Sequence, residues 1–134
     1  MNAQEMRERA GGDWQARADG WWRQAGLHQV RAVAKDMREG GGRFAALTVR
    51  PDGGSLKLSW HWDVAGTLLS IEAVLGPSEA IPSVVDIWPG ADWAEREARD
   101  YYAVRFSGRE STPPLMLREG DAPGVLLRKE GAMP

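Results

Sequence analysis

Strict alternation of apolar and polar side chains between residues 56 and 63 is the feature that most constrains the fold. A period of two is typical of a β-strand with one buried face, and it leaves the other face for water or a partner. Pro51-Asp52-Gly53-Gly54 precedes this strand and Ala65-Gly66 follows it, and both sequences are typical of tight turns. The pattern therefore predicts three strands, at 43–50, 56–63 and 67–75, in an antiparallel meander. In the first of them the alternating apolar residues are Ala45, Leu47 and Val49.

Two helical patterns precede the meander. Asp13 is a candidate cap for a helix from Trp14 to about Ala25, and Gly26 is its stop signal. In the next helix, apolar residues three and four positions apart share one face, and the triple glycine at 40–42 ends it. The apolar residues are Leu27, Val30, Ala34 and Met37, and Arg31, Lys35 and Arg38 form the polar side.

A third helix is predicted to begin at Asp92. Glu95 follows three residues later and completes the pattern of a capping box. Opposite charges four positions apart, Glu95 with Arg99 and Arg96 with Asp100, support the same helix. With helices on both sides of the strands, the fold class is α+β: a meander of three or more strands packed with N-terminal helices and one later helix.

The length of 134 residues suits a single domain, 1–134, with a sizeable core. We expect an N-terminal helical segment at 1–26 and an α+β core at 27–108. Proline and glycine recur after Gly108, which predicts an irregular, extended tail at 109–134.

Composition narrows the function classes. The chain has no cysteine and only two histidines, in separate elements, so we expect no metal site and no iron–sulfur cluster in it. The net charge of −2, with both signs interspersed, argues against a broad nucleic-acid surface. No apolar run approaches the roughly 18 residues of a membrane span, and the polar N-terminus has no signal core, so direct membrane insertion is not expected. Nucleotide and phosphate-loop motifs are also absent.

Acid–base chemistry has one candidate set. Glu97 and Asp100 lie three positions apart on the third helix, and His61 is the nearest thing to a partner for them. His61 and Asp63 are a weaker pair, two apart on one strand. The alternative interpretation is structural, because the arginines of the helix can neutralise these carboxylates. The sequence leaves both interpretations open, and favours the structural one.

The seven tryptophans also have two interpretations. Large aromatic side chains can fill the core of a small domain, or they can anchor contacts with a partner protein. The set consists of Trp14, Trp21, Trp22, Trp60, Trp62, Trp88 and Trp93.

Residues 81–108 carry an ordered series of motifs. They are Pro82-Ser83-Val84, Asp86, Trp88-Pro89, Trp93, Glu95-Arg96-Glu97, Asp100, Phe106 and Gly108, and Leu127-Arg128-Lys129-Glu130 follows near the end. This series closely resembles the signature of the C subunit of NADH:quinone oxidoreductase (respiratory complex I) and of the related subunit of membrane-bound group 4 nickel–iron hydrogenases. The short chain and the step His61-Trp62-Asp63 resemble the hydrogenase branch somewhat more.

The resemblance implies a cofactor-free structural subunit of the hydrophilic arm, which packs against a large hydrogenase-like subunit and a neighbouring iron–sulfur subunit. Iron–sulfur clusters and nickel–iron or quinone sites are expected in those partners, and the complex at the cytoplasmic face of the membrane. The isolated chain is a candidate homodimer. The implied partner-interface and signature residues are Pro82, Ser83, Asp86, Trp88, Pro89, Trp93, Glu95, Arg96, Glu97, Asp100, Phe106, Gly108, Arg109, Arg128 and Lys129.

Three departures from the signature bear on this expectation. The family usually has glycine where Ala103 stands, and His-Pro where Arg109-Glu110 follow Gly108. An arginine pair is usual where this chain has Thr112-Pro113-Pro114. Arg109 is a candidate replacement for the missing positive charge. The changed segment also keeps open a stand-alone interaction module of the same fold.

Overall fold

The structure, a computed structural model, describes residues 1–110. The predicted tail from residue 111, with Thr112-Pro113-Pro114, Arg128 and Lys129, lies outside the described residues. In chain order the elements are α1 Ala3–Ala10, β1 Gln15–Arg17, β2 Gly20–Gln24, α2 Val30–Glu39, β3 Arg43–Asp52, β4 Ser55–Val64, β5 Thr67–Leu75, β6 Ile81–Pro82, α3 Asp92–Tyr102 and β7 Phe106–Ser107.

The antiparallel meander is confirmed, and with it the α+β class. β3 pairs with β4 and β4 with β5, both antiparallel, through the two predicted turns. The main sheet has the order β1-β2-β5-β4-β3, so the meander forms its larger part and β3 is an edge strand. The predicted alternation of β3 fails at one residue, because a bulge between Phe44 and Ala46 leaves Ala45 exposed.

The core lies on one face of this sheet. The inward residues of β4 and β5 meet the apolar face of α2, which the spacing of three and four predicts. Trp60 and Trp62 of β4 are the largest side chains there, and both are almost completely buried. Met6 of α1, also fully buried, joins the same cluster, so α1 packs with α2 over the sheet.

The predicted helix from Trp14 to Ala25 is wrong, because this segment forms the hairpin of β1 and β2. β2 also pairs in parallel with β5, with Trp21 opposite Leu69. Gly20 stands at the start of β2 with φ of 135°, and a Cβ there would lie 2.2 Å from the carbonyl oxygen of Leu68. Only glycine fits so close to a neighbouring strand, so the residue that weakened the helix pattern is one that β pairing requires.

Candidate functional site

Glu95 lies at the centre of the signature segment and points into the protein. Its side chain is 1% exposed. One carboxylate oxygen accepts a hydrogen bond from the Ser83 hydroxyl at 2.6 Å, and the other accepts one from the Val84 backbone N–H at 2.9 Å. The predicted capping box at Asp92 is therefore wrong. α3 begins at Asp92 directly after a 3₁₀ turn, Pro89–Ala91, and its cap residue makes no side-chain hydrogen bond.

Arg109 supplies the positive charge for Glu95. Its guanidinium donates to Glu95 at 3.0 Å and also to the Asp92 carboxylate. Burial opposes the charged form of Arg109, but the bonds to the two carboxylates outweigh it and raise the pKa of Arg109 above its ordinary value. Within residues 1–110, then, the arginine that replaces the usual His-Pro is an internal ion-pair partner.

Asp86 is held by Arg31, which the sequence placed only on the polar side of a helix. Two bonds of 2.7 and 2.9 Å join the guanidinium to both carboxylate oxygens. The same guanidinium also donates to the Ser83 backbone carbonyl at 2.6 Å. Arg31 thereby fixes the signature loop to α2. The hydrogen bond from Arg31 lowers the pKa of Asp86 to about 2.

This pair predicts a pH dependence. A carboxyl whose pKa is lower in the folded state contributes stability above its unfolded pKa, and loses it as the pH falls. For Asp86 the contribution is fully present above about pH 4 and disappears as the pH approaches 2, given the ordinary value of 3.8. We expect Asp86→Asn to cost up to about 1 kcal/mol at pH 7, because the pair is partly exposed and screened, and less at pH 3. Carbon-detected NMR titration should give a midpoint near 2, and a midpoint near 3.8 would contradict the pairing.

Trp88 fastens the other end of the loop. The indole N–H donates to the backbone carbonyl of Ala34 in α2 at 3.0 Å, and the ring is 8% exposed. Phe44 packs against it with ring centroids 6.3 Å apart, and the Arg38 guanidinium lies 5.3 Å from the ring centroid. Trp88 is thus a core residue, whereas Pro89, the first residue of the 3₁₀ turn, is exposed.

The remaining inward signature residues stabilise the same unit. Ile81 and Pro82 pair in parallel with Phe106 and Ser107 as a two-stranded sheet, and this pairing brings Gly108 and Arg109 back towards α3. On the helix, Asp100 is fully buried and pairs with Arg99 at 3.0 Å, and Arg96 pairs with Asp92 at 3.8 Å.

Two signature side chains of α3 point away from the protein. Trp93 is 61% exposed, and Glu97, one helical turn further on, is exposed as well. Both line an open cleft between α3 and the first part of β3. The signature therefore divides into an inward group, which includes Ser83, Trp88, Glu95 and Asp100, and an outward group of Asp86, Pro89, Trp93 and Glu97.

A family model described as "Respiratory-chain NADH dehydrogenase, 30 Kd subunit" matches residues 23–133. The chain belongs to this family. The C subunit of the NADH-quinone oxidoreductase of Sinorhizobium medicae is 36% identical over 62 residues, which cover 46% of this chain and 30% of that protein. The second C/D subunit of the same type of enzyme from Aquifex aeolicus is 32% identical over 96 residues, 70% of this chain and 14% of that protein. The chain thus spans less than a third of the length of these two relatives.

The fold has a counterpart in an archaeal respiratory membrane complex, the membrane-bound sulfane sulfur reductase. A chain of that structure superposes with a TM-score of 0.70 over 85% of this chain and 73% of its own length. The sequence identity is 21%, so this similarity concerns the fold alone.

Membership in the 30 kDa subunit family also gives Ala103 a physical meaning. Ala103 caps the C-terminus of α3 in the left-handed conformation, with φ of 58°. Glycine, the usual residue of the family signature there, adopts this conformation without the strain that a Cβ introduces. The alanine keeps the same helix end at a cost of about 1 kcal/mol.

The candidate acid–base set of this family member is not brought together. Glu97 is exposed on the outside of α3, whereas Asp100 is buried beside Arg99. On the uncovered face of the main sheet, His61 has a hydroxyl at each ring nitrogen, Ser70 at 2.7 Å and Thr48 at 3.1 Å. Burial lowers the pKa of His61. Asp63, the other proposed partner, accepts a bond from the Gly66 backbone instead.

Two further observations hold for residues 1–110. No three His, Asp or Glu side chains in this part of the chain gather closely enough to hold a metal ion. No helix in it combines the length and apolar character that crossing a bilayer requires.

Proposed function

We propose that this chain is a non-catalytic structural subunit of a membrane-associated respiratory oxidoreductase, either complex I or a related hydrogenase. The observation that carries the proposal is the family match over residues 23–133. The division of the signature agrees with it, because the buried signature residues hold the fold together and the remaining ones point outwards. A domain built in this way positions and seals its neighbours, and electron transfer takes place in other subunits.

The partner we propose is the large hydrogenase-like subunit, with an iron–sulfur subunit beside it. The double letter C/D in the names of relatives from Phocaeicola vulgatus and Aquifex aeolicus supports this choice. Subunits that share one chain in some organisms are expected to be in contact where they are separate. The iron–sulfur clusters and the nickel–iron or quinone site belong to those partners in this proposal. The whole assembly lies on the cytoplasmic face of the membrane.

Affinity purification of the tagged chain from its own cells, in mild detergent, tests the proposal. We expect mass spectrometry to identify the large hydrogenase-like subunit and an iron–sulfur subunit in near-stoichiometric amounts. Subunits that bind NADH would indicate complex I, and their absence together with nickel would indicate the hydrogenase branch. Recovery of the chain without any oxidoreductase subunit would refute the proposal and favour a stand-alone interaction module.

A further inference from the structure

The cleft beside α3 is the most apolar open surface near the signature. Its volume is about 530 Å³, and it lies between the outer face of α3 and the start of the edge strand β3. Phe44, Leu47 and Trp88 line it from one side, and Trp93 and Ala94 from the other. The bulge of β3 places Ala45 in this lining, where a small side chain leaves the cleft open.

Trp93 is exceptional among the aromatic side chains of this part of the chain. It is the one tryptophan, tyrosine or phenylalanine of residues 1–110 that is exposed. Single exposed apolar residues are common on protein surfaces and need no explanation. Here, however, the exposed indole forms the wall of a cleft whose floor is also aromatic. Tryptophan in such a setting is the type of residue that dominates the binding energy of protein interfaces.

Two charges flank this apolar centre. Arg43, at the start of β3, and Glu97, on α3, both line the cleft and are both exposed. Neither forms a salt bridge within residues 1–110. Asp63 faces Arg43 across the strand pair, but its carboxylate is occupied by the Gly66 N–H. Each charge can therefore meet an opposite charge on a partner.

We infer that this cleft is the docking site for an apolar side chain of the large subunit, bounded by an acidic residue that meets Arg43 and a basic residue that meets Glu97. This inference rests on the proposed function. It commits to the large subunit because a relative named C/D carries both subunits in one chain. The apolar side chain supplies affinity by filling the space between Trp93 and Phe44, and the two charges fix its orientation.

The test measures binding of the full-length chain to the purified large subunit, by surface plasmon resonance. We expect Trp93→Ala to weaken binding about 30-fold or more, which is typical of an interface anchor. Arg43→Glu and Glu97→Lys should each weaken it about tenfold at low salt, and less at high salt. Val74→Ala is the matched control, because Val74 is 46% exposed and does not line the cleft. Circular dichroism on heating should show all four variants folded.

The outcomes separate the two proposals. If the wild-type chain does not bind the large subunit at all, the proposed function fails. If the wild type binds and Trp93→Ala binds equally well, the cleft is not the docking site, although the function stands. Light scattering covers a third case. If Trp93→Ala abolishes self-association while binding to the large subunit is unchanged, a second copy of this chain occupies the cleft and the inference is overturned.

Discussion

Replacing Glu95 with alanine is expected to lower the free energy of unfolding by about 3–5 kcal/mol. The carboxylate is 1% exposed, and it accepts hydrogen bonds from the Ser83 hydroxyl and the Val84 backbone. Its removal leaves both donors buried without that acceptor, and each such loss costs about 1–3 kcal/mol. Arg109 also loses one of its two carboxylates. Domains of this size are stable by about 5–15 kcal/mol, so the variant should be close to unfolding.

Chemical denaturation followed by tryptophan fluorescence measures this effect. Glu97→Ala is the control, because it removes the same type of side chain from an exposed position of the same helix. It should change stability by no more than about 0.5 kcal/mol. A second comparison uses Arg109→Ala alone and combined with Glu95→Ala. Because the two residues share one ion pair, the double variant should lose clearly less than the sum of the single losses. Additive losses, or a Glu95→Ala loss below about 1 kcal/mol, would contradict this role.

The role of Glu95 shows where reasoning from the sequence ends. The spacing from Asp92 to Glu95 is the local pattern of a capping box, and only local contacts can be read from spacing. The observed partners Ser83 and Val84 precede Glu95 by 12 and 11 residues, and Arg109 follows it by 14. They meet only because β6 and β7 pair and bring both ends of the signature to α3. The same reason hides the bond between Arg31 and Asp86, which are 55 residues apart.

The meander and α2 could be predicted because their information is local. Alternation, turn residues and a spacing of three and four each act over a few positions, and all three were confirmed. The hairpin of β1 and β2 could not, since β2 is stabilised by pairing with β5, which lies far along the chain. α1 was missed although its signal is present. Asn2 and Glu5 form a reciprocal capping box at its start, a pattern visible in the opening residues of the sequence.

Both interpretations of the tryptophans hold, for different members of the set. Trp60, Trp62 and Trp88 are buried, Trp14, Trp21 and Trp22 are partly buried, and Trp93 is exposed. Sequence periodicity assigns Trp60 and Trp62 to the core, because they alternate on a strand. It cannot separate Trp88 from Trp93. What separates them is the 3₁₀ turn at Pro89–Ala91, which reverses direction between the loop and the helix.

Trp88→Ala is the second substitution with a large expected effect, again about 3–5 kcal/mol of lost stability. The ring is 8% exposed, contacts Phe44, and donates its N–H to the Ala34 carbonyl at 3.0 Å. Alanine removes the bond between the signature loop and α2 and leaves a cavity. Trp88→Phe keeps most of the packing and loses the N–H bond, so it should cost only about 1–2 kcal/mol. Urea denaturation of the three proteins gives these values. Equal losses in the two variants would show that packing of the ring is unimportant.

Trp88 and Trp93 together separate folding from docking, because one aromatic side chain lines the cleft from inside the core and the other from solvent. Trp93→Ala should lower affinity for the large subunit and leave the unfolding midpoint unchanged. Trp88→Phe should lower the midpoint slightly and leave affinity within about threefold, since an aromatic floor remains beneath the cleft. Trp88→Ala should lower both quantities. If Trp88→Phe and Trp93→Ala instead weaken binding to the same degree, the partner recognises the whole signature loop, and exposure of Trp93 is not what selects it.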